Sequence, residues 1–361
     1  MKLAVARQAH AGAEVRSAGQ RPNPDLASKG TWGDGASQVE LDFVHTVEAG
    51  GKRQARVARA RAGEQGSSAE LSAAQADTAL RTVSALYRLR QLATELGLTD
   101  EALRTFSRIS SQLRSRPRLA PEQEVSRSIF ELAEADYALR KAALGAEQTG
   151  LFKTLEGSLG VPLSAGTAPL PQPRQDWPEV PDTRSFSGSE TRQAQTSLML
   201  AQADRDSARA ASWPDLRLGP SFQRQSGEGQ SQRMFGINLG LPLPLYHRNA
   251  AGREDARLGE VAAALGVQAV QARLQAERVA ERAKYQAAVA ALSLGGRKEM
   301  HSQHEKVEDF FERGLISSSL VIEAHRQMLD FTRSRHEHEL AAVRALWRIR
   351  AIDGNVLGEK L

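Results

Sequence analysis

The amino-acid sequence predicts a mostly α-helical protein with a small β part, made of two long α-helical hairpins and four β-strands per chain. Three observations support this fold class: an internal duplication, pairs of short segments with alternating hydrophobicity, and very long stretches with helical periodicity. Hydrophobic residues make up 40% of the 361 residues and aromatic residues only 5%. Such a composition, rich in Ala, Arg, Gln, Glu and Leu, favours extended helices packed through small side chains.

Two copies of the tripeptide Pro-Asp-Leu, at residues 24–26 and 214–216, mark the duplication. Each copy follows a polar, Ala-containing helical segment, and the two copies lie 190 residues apart. Self-similarity at a fixed period indicates a repeat architecture. The sequence therefore predicts a first repeat at residues 1–159 and a second at 186–354, followed by a tail at 355–361.

Two alternating segments follow each Pro-Asp-Leu and predict one β-hairpin at about residues 24–47 and another at about 214–243. A period of two is typical of strands with one apolar face and one small or polar face. Gly33-Asp34-Gly35 and Gly227-Glu228-Gly229 supply the turns. The apolar positions are Val39, Leu41, Phe43, Val47, Leu216, Leu218, Phe222, Phe235, Ile237, Leu239, Leu241 and Leu243.

After each β-hairpin comes a break, at residues 48–53 and 244–249, and then a long helical hairpin. The helical hairpins are predicted at about residues 52–159 and 249–354, and in the second the leading helix is expected to run to about Arg313. At about 1.5 Å per residue, the first helix of each hairpin is roughly 95 Å long.

The segment between the repeats, residues 160–185, contains six prolines and predicts a linker without regular helix. A full helix at about 188–211 precedes the strands of the second repeat. The first repeat keeps only residues 1–19 of the corresponding helix, so we expect the beginning of that helix to be missing.

Charge and composition exclude several classes of function. The formal charge is +5, from 48 basic and 43 acidic residues, but the basic residues alternate with carboxylates at helical spacing, which indicates a solvated helix surface rather than a nucleic-acid site. There are no cysteines, which excludes disulfides, thiolate metal sites and a cysteine nucleophile. The sequence contains no run of about 18 apolar residues, so no transmembrane helix is predicted. Residues 1–10 lack the apolar core of a secretory signal.

The four predicted strands are too few to close a barrel, and nothing else in the chain is predicted to cover their apolar face. A sheet embedded in lipid has to be a closed barrel, because an open edge would leave backbone groups without partners. Closure is simplest when several copies each contribute four strands. The Ala-rich helical hairpins would then pack side by side into a tube.

Five segments, in this order along the two repeats, carry a resemblance to a known family. They are Pro22-Asn23-Pro24, Gly50-Gly51-Lys52-Arg53, Trp213-Pro214-Asp215-Leu216, Leu239-Gly240-Leu241-Pro242-Leu243-Pro244-Leu245 and Gly314-Leu315-Ile316-Ser317. Together they resemble the TolC family of outer-membrane efflux channels, over about residues 5–355.

The resemblance implies a homotrimer in the outer membrane of a Gram-negative bacterium, with a barrel of twelve strands that continues into a periplasmic tunnel of twelve helices. Its implied role is a passive exit duct for drugs or heavy-metal cations, which an inner-membrane pump delivers through a periplasmic adaptor. No enzymatic activity, cofactor or nucleic acid is expected. The alternative is a soluble coiled-coil adaptor or scaffold, which is disfavoured because residues 235–243 would expose an apolar face.

Acidic residues near the second tip are candidates for a pore constriction: Glu323, Asp309 and Glu312. Identical acids repeated by threefold symmetry would form negative rings that favour cations. The alternative is that they are solvated carboxylates paired with neighbouring basic side chains.

Family resemblance points to Glu323 among these acids. It matches the second of two acidic positions that narrow the entrance in family members, nine residues after the tip glycine. The first acidic position aligns with Leu320, and the gating Tyr and Arg align with Phe311 and Ile316, so most of the family's polar latch is absent.

Gly314, Leu315 and Ser317 resemble the tip motif that meets the adaptor, and Leu119 and Ala120 are the matching half-site in the first repeat. Turn chemistry alone also explains these residues, since glycine permits a left-handed backbone and serine favours the helix N-cap.

Histidines near the second tip suggest a weaker, metal-binding alternative. The turn near residue 315 places His304 and His325 at comparable depths on antiparallel helices. A shared metal site there competes with the interpretation that both are surface histidines.

Overall fold

The computed structural model describes residues 2–33, 36–163, 168–182, 186–227, 229–294, 306–307, 309–311 and 313–356. The fold class is as predicted, with long helices and four antiparallel strands. In chain order the elements are α1 (Lys2–Ala18), β1 (Asp25–Gly33), β2 (Ala36–Val47), α2 (Lys52–Arg114), α3 (Pro121–Leu159), α4 (Ser189–Ala210), β3 (Leu216–Gly227), β4 (Gln230–Gly240), α5 (Ala250–Ser293) and α6 (Ser318–Asp353).

The chain divides into two compact units, each built from both predicted repeats. The first unit comprises residues 1–75 and 186–274, and it holds all four strands with the helical segments next to them. The second unit comprises residues 76–185 and 275–361 and consists of helices and the Pro-rich segment. The division into two sequence repeats stays a prediction.

The four strands of the first unit form one antiparallel sheet in the order β1-β2-β3-β4. The central pairing, β2 with β3, joins the two predicted repeats and sets Leu41 opposite Phe222. The prediction that the last strand continues to Leu243 was wrong, because β4 ends at Gly240. Pro242 and Pro244 follow, and proline has no backbone N–H to donate to a strand ladder.

In the second unit, α3 runs antiparallel to α2 and packs against it. Phe106 of α2 and Phe130 of α3 are both fully buried, with ring centroids 5.9 Å apart. Farther along, Lys141 Nζ lies 2.7 Å from a carboxylate oxygen of Asp100. The first helical hairpin is therefore held together by aromatic packing near the turn between α2 and α3 and by an ion pair farther from that turn.

The second helical hairpin is formed by α5 and α6, which are also antiparallel. Arg348 of α6 donates to Glu277 of α5 at 2.6 Å. The leading helix ends at Ser293 rather than near residue 313, and residues 295–305 lie outside the described part of the chain. Among the helices that are described, none has an apolar stretch long enough to cross a bilayer.

The described parts of the Pro-rich linker, residues 160–163 and 168–182, contain neither helix nor strand, and the second part is held against α5. Tyr285 donates its hydroxyl to the carbonyl oxygen of Pro178 at 2.6 Å, and its ring packs against Trp177 at a centroid distance of 6.1 Å. Arg278 donates to the carbonyl oxygen of Pro181 at 3.0 Å. These contacts thus hold the linker along the helices of the second unit.

Candidate functional site

One face of the sheet is apolar and exposed. The cross-strand register places Leu26, Phe43 and Ile237 on this face, together with the adjacent residues Phe222 and Phe235. Ile237 is 78% exposed and Phe235 is 83% exposed. A group of large apolar side chains at this exposure is typical of a surface that contacts another protein or a membrane.

The opposite face of the sheet is polar. Lys29, Glu40, Gln223 and Met234 form one row across the four strands. In the neighbouring region Asn238 of β4 donates to Asp42 of β2 at 2.5 Å and so reaches across β3. Ser221 of β3 and Gly236 of β4, which are opposite each other, are closely spaced, since a Cβ atom at Gly236 would lie only 2.7 Å from the hydroxyl oxygen of Ser221.

Both edges of the sheet are open within the described chain. β1 and β4 are the first and last strands of the order, and each pairs with one neighbour only. An unpaired strand edge presents a row of free backbone donors and acceptors, which is a template for pairing with another chain. Among the residues that the structure describes, the sheet therefore has no partner for its apolar face or for either of its edges.

The junction between the sheet and the long helices depends on residues of both repeats. Asp215 accepts hydrogen bonds from the Lys52 ammonium at 2.7 Å and from the backbone N–H of Ala49 at 3.2 Å. Gly50 has φ +68°, and a Cβ atom there would lie 2.6 Å from the Cβ of Trp213. The Gly-Gly-Lys-Arg break and the Trp-Pro-Asp-Leu segment thus contact each other where β2 ends and β3 begins.

The two helical-hairpin tips lie at the same end of the second unit, because Ser318 donates to the hydroxyl of Ser126 in the first turns of α3 at 3.1 Å. Gly314 has φ +71°, and its N–H donates to the carbonyl of Phe311 while that of Leu315 donates to Phe310. This pair of bonds is a Schellman motif, which needs a left-handed residue at the position of Gly314.

The predicted docking residues lie on the surface of these tips. Leu315 is 66% exposed, and Ser317 is at the N-cap position of α6, where its hydroxyl contacts that of Ser319 at 2.9 Å rather than a backbone N–H. Leu119 and Ala120 lie in the turn between α2 and α3, and Ala120 is the N-cap residue of α3. The structure therefore brings the two predicted half-sites to one end.

The predicted constriction acids that can be described are both ion-paired. Glu323 accepts from Arg326 at 2.8 and 2.9 Å and from Gln327 at 2.8 Å, and the hydrogen bonds from Arg326 lower the pKa of Glu323 below its ordinary value. Asp309 pairs with Arg313 at 2.9 Å. Glu312 lies outside the described residues. Each of these two carboxylates is thus paired with an arginine three or four residues later in the sequence.

Of the two histidines in the predicted metal alternative, the structure describes only His325. His325 is 5% exposed, and its ring packs edge-on against Phe106 at a centroid distance of 5.3 Å, so it is a core residue rather than a surface residue. His304 lies outside the described residues. In the part of the chain that the structure describes, no group of three His, Asp or Glu residues is arranged to hold a metal ion.

A buried ionic cluster in the second unit joins three helices. Glu95 of α2 is completely buried, and its carboxylate lies 2.7 Å from His336 Nδ1 of α6 and 2.8 Å from Arg88. Arg88 also donates to Glu147 of α3 at 2.7 Å. We name Arg88, Glu95, Glu147 and His336 the buried ionic cluster.

Hydrogen bonds within the buried ionic cluster outweigh the cost of burial. Burial alone would raise the pKa of Glu95, but the hydrogen bonds from His336 and Arg88 hold that pKa below its ordinary value. Next to the cluster, Gln91 donates to the carbonyl oxygen of His336 and to the Glu339 carboxylate, both at 2.9 Å.

Sequence reasoning missed this cluster. The available signal was the spacing of His336 and Glu339, which lie three residues apart and therefore share one helix face. Their partners on α2 are more than 240 positions away in the sequence.

Comparison with known proteins supports the architecture through structure alone. No family model and no curated protein matches the sequence. The open-state outer-membrane channel MtrE of Neisseria gonorrhoeae superimposes with a TM-score of 0.78 at 16% identity, covering 98% of this chain and 86% of the other. The outer-membrane protein VceC of Vibrio cholerae gives 0.74 at 18% identity, covering 98% and 92%.

A third similar structure is that of CusC, whose crystal structures describe conformational changes that accompany folding and transmembrane channel formation. It superimposes with a TM-score of 0.73 at 15% identity and covers 97% of this chain and 88% of that one. These matches span nearly the whole chain, strands and helices together. The chain therefore has the fold of the TolC-type outer-membrane channels that its sequence resembles.

Proposed function

We propose that this chain is the outer-membrane channel component of a tripartite efflux system. Its role is a passive exit duct for drugs or heavy-metal cations that an inner-membrane pump delivers through a periplasmic adaptor. The observation that carries the proposal is a four-stranded sheet with an exposed apolar face and two open edges, in a chain with the fold of outer-membrane channels.

The sheet of one copy acquires all its missing partners when three copies assemble. β1 and β4 run in opposite directions, so β4 of one copy and β1 of the next form an antiparallel pair, and three copies close a barrel of twelve strands. The apolar face then contacts lipid, and the polar face lines water. The long helices continue the barrel as a periplasmic tunnel.

Fractionation of cells that produce the full chain tests the proposal. We expect the protein in the outer-membrane fraction, extracted only by detergent, with a trimeric mass in detergent solution. Recovery as a monomer from buffer without detergent would favour the soluble scaffold instead.

Glu323 is proposed as a constriction residue, and its pairing with Arg326 determines the sign of the expected effect. Because Glu323 and Arg326 neutralise each other, Glu323→Ala leaves an extra positive charge in each copy, whereas Arg326→Ala leaves an extra negative one. In planar bilayers, the reversal potential in a salt gradient should shift toward anion selectivity for Glu323→Ala and toward cation selectivity for Arg326→Ala.

Glu254→Ala is the matched control for charge at the tip. Glu254 pairs with Arg257 at the same three-residue spacing on α5, in the first unit, and should leave the reversal potential unchanged. If neither tip variant moves the reversal potential, the constriction lies elsewhere.

Gly314, Leu315, Ser317, Leu119 and Ala120 are proposed as the surface that docks the adaptor. The absence of native cysteines makes Leu315→Cys the only thiol in the chain. With a thiol-directed cross-linker in cells, we expect Leu315→Cys to give an adduct that contains the adaptor.

Leu139→Cys is the control and should give no such adduct, because Leu139 is at least as exposed as Leu315 but lies 18 residues beyond the start of α3. Equal adaptor adducts from both positions would contradict docking at the tips.

A further inference from the structure

Two arginines face each other at one end of the apolar face of the sheet. Arg224 of β3 is directly opposite Arg233 of β4, and both lie on the face that carries Phe222 and Phe235 one row away. Both arginines are exposed. This end of the sheet is next to the hairpin turns and far from the beginnings of the long helices α2 and α5.

This arrangement is unfavourable without a third group. Like charges directly opposite each other destabilise an antiparallel pair. Among the described residues, neither guanidinium pairs with a carboxylate, and the one side-chain hydrogen bond seen is from Arg224 Nε to the hydroxyl of Ser231 at 3.3 Å. Lys29 and Glu40, which are opposite each other on β1 and β2, lie on the other face of the sheet. Within the described residues, the two neighbouring guanidinium groups therefore lie on the same face without a carboxylate partner.

The surroundings of the two arginines change from apolar to polar within one row. On the helix side lie the exposed apolar side chains, including Phe235. On the turn side lie the hydroxyls of Ser226 and Ser231, which lie opposite each other and border a shallow depression that Trp32 also lines. Aromatic and basic residues at the limit of an apolar band are typical of a membrane–water interface.

We propose that Arg224 and Arg233 of each copy bind the phosphate of an anionic lipid headgroup in the leaflet at the turn end of the sheet. The inference rests on the proposed function, since it requires the apolar face to contact lipid. A guanidinium offers a planar pair of donors that matches two phosphate oxygens, and two guanidinium groups side by side favour a headgroup with net negative charge. Continuity with the apolar face selects a lipid, because acyl chains attached to the same headgroup would lie along Phe235 and Ile237.

Native mass spectrometry of the detergent-solubilised full chain, titrated with phosphatidylglycerol and with phosphatidylcholine, tests the proposal. We expect preferential binding of phosphatidylglycerol, weakened about fivefold by either Arg224→Gln or Arg233→Gln and about 25-fold by the double variant. The matched control, Lys29→Gln with Arg217→Gln, removes two positive charges from the polar face and should bind as the unmodified protein does.

Two results would overturn the lipid site. One is phosphatidylglycerol binding that is equal in the double variant and the unmodified protein. The other is displacement of the lipid by inorganic phosphate at low millimolar concentration, which would indicate a site for a soluble anion. Both measurements are made on protein that detergent extracts as a trimer. A chain that fails to enter membranes at all would instead overturn the proposed channel function.

Discussion

Replacing Ile237 with arginine is expected to remove the protein from the outer-membrane fraction. Ile237 lies between Phe235 and Leu239 on the apolar side of β4 and is 78% exposed, so the substitution breaks little packing within one copy. An arginine on the lipid side of a barrel costs about 2–4 kcal/mol at the bilayer midplane, or about 6–12 kcal/mol for three copies. The measurement is the fraction of full-length protein that sediments with membranes and migrates as a trimer.

Met234→Arg separates the loss of a lipid contact from a general effect of charge. Met234 is on the same strand but on the polar face, opposite Gln223. An arginine there would face water inside the proposed barrel, and insertion should stay close to that of the unmodified protein. If Ile237→Arg inserts as well as Met234→Arg does, the apolar face does not contact lipid and the channel proposal fails.

Replacing Glu95 with alanine is expected to destabilise the helical unit by about 3 kcal/mol, as is usual when one member of a buried ion pair is removed. The substitution leaves His336 and Arg88 without their buried acceptor, although Arg88 keeps Glu147. The measurement is the free energy of unfolding from denaturant titration in detergent, followed by helical circular dichroism. Glu323→Ala, which removes an exposed carboxylate paired with Arg326, is the control and should have little effect on unfolding.

Acid should weaken the same unit through Glu95. The pKa of this carboxyl is lowered in the folded chain from its ordinary value of 4.5, so folding stabilises the ionised form. This contribution is complete above about pH 4.5 and is lost as the pH falls through the lower, folded pKa. Unfolding measured at a series of acidic pH values should therefore depend less steeply on pH in Glu95→Gln than in the unmodified protein. Identical slopes would mean that the buried ionic cluster does not stabilise the fold.

Much of the architecture was predictable because it follows from local periodicity. Alternation at Phe235, Ile237 and Leu239 specifies a strand with one apolar face, and the structure places all three on that face. The glycine at position 314 predicted a left-handed turn, and its φ is +71°. Both patterns depend only on residues close together in the chain.

The ionic contacts could not be predicted in the same way. Nothing near Glu95 in the sequence indicates burial, and its partner His336 is 241 positions away. His325 resembled a surface histidine, yet it packs against Phe106. The opposition of Arg224 and Arg233 depends on the register between β3 and β4, where a slip of one residue would send one of them to the other face.

The sequence by itself determined the kinds of element, their order and the side of each strand that is apolar, because periods of two and 3.6 are properties of the local backbone. Only the tertiary structure decided which charges are buried together, which tips share an end and which arginines face each other. Those outcomes depend on contacts between distant segments, whose register and burial no local pattern specifies.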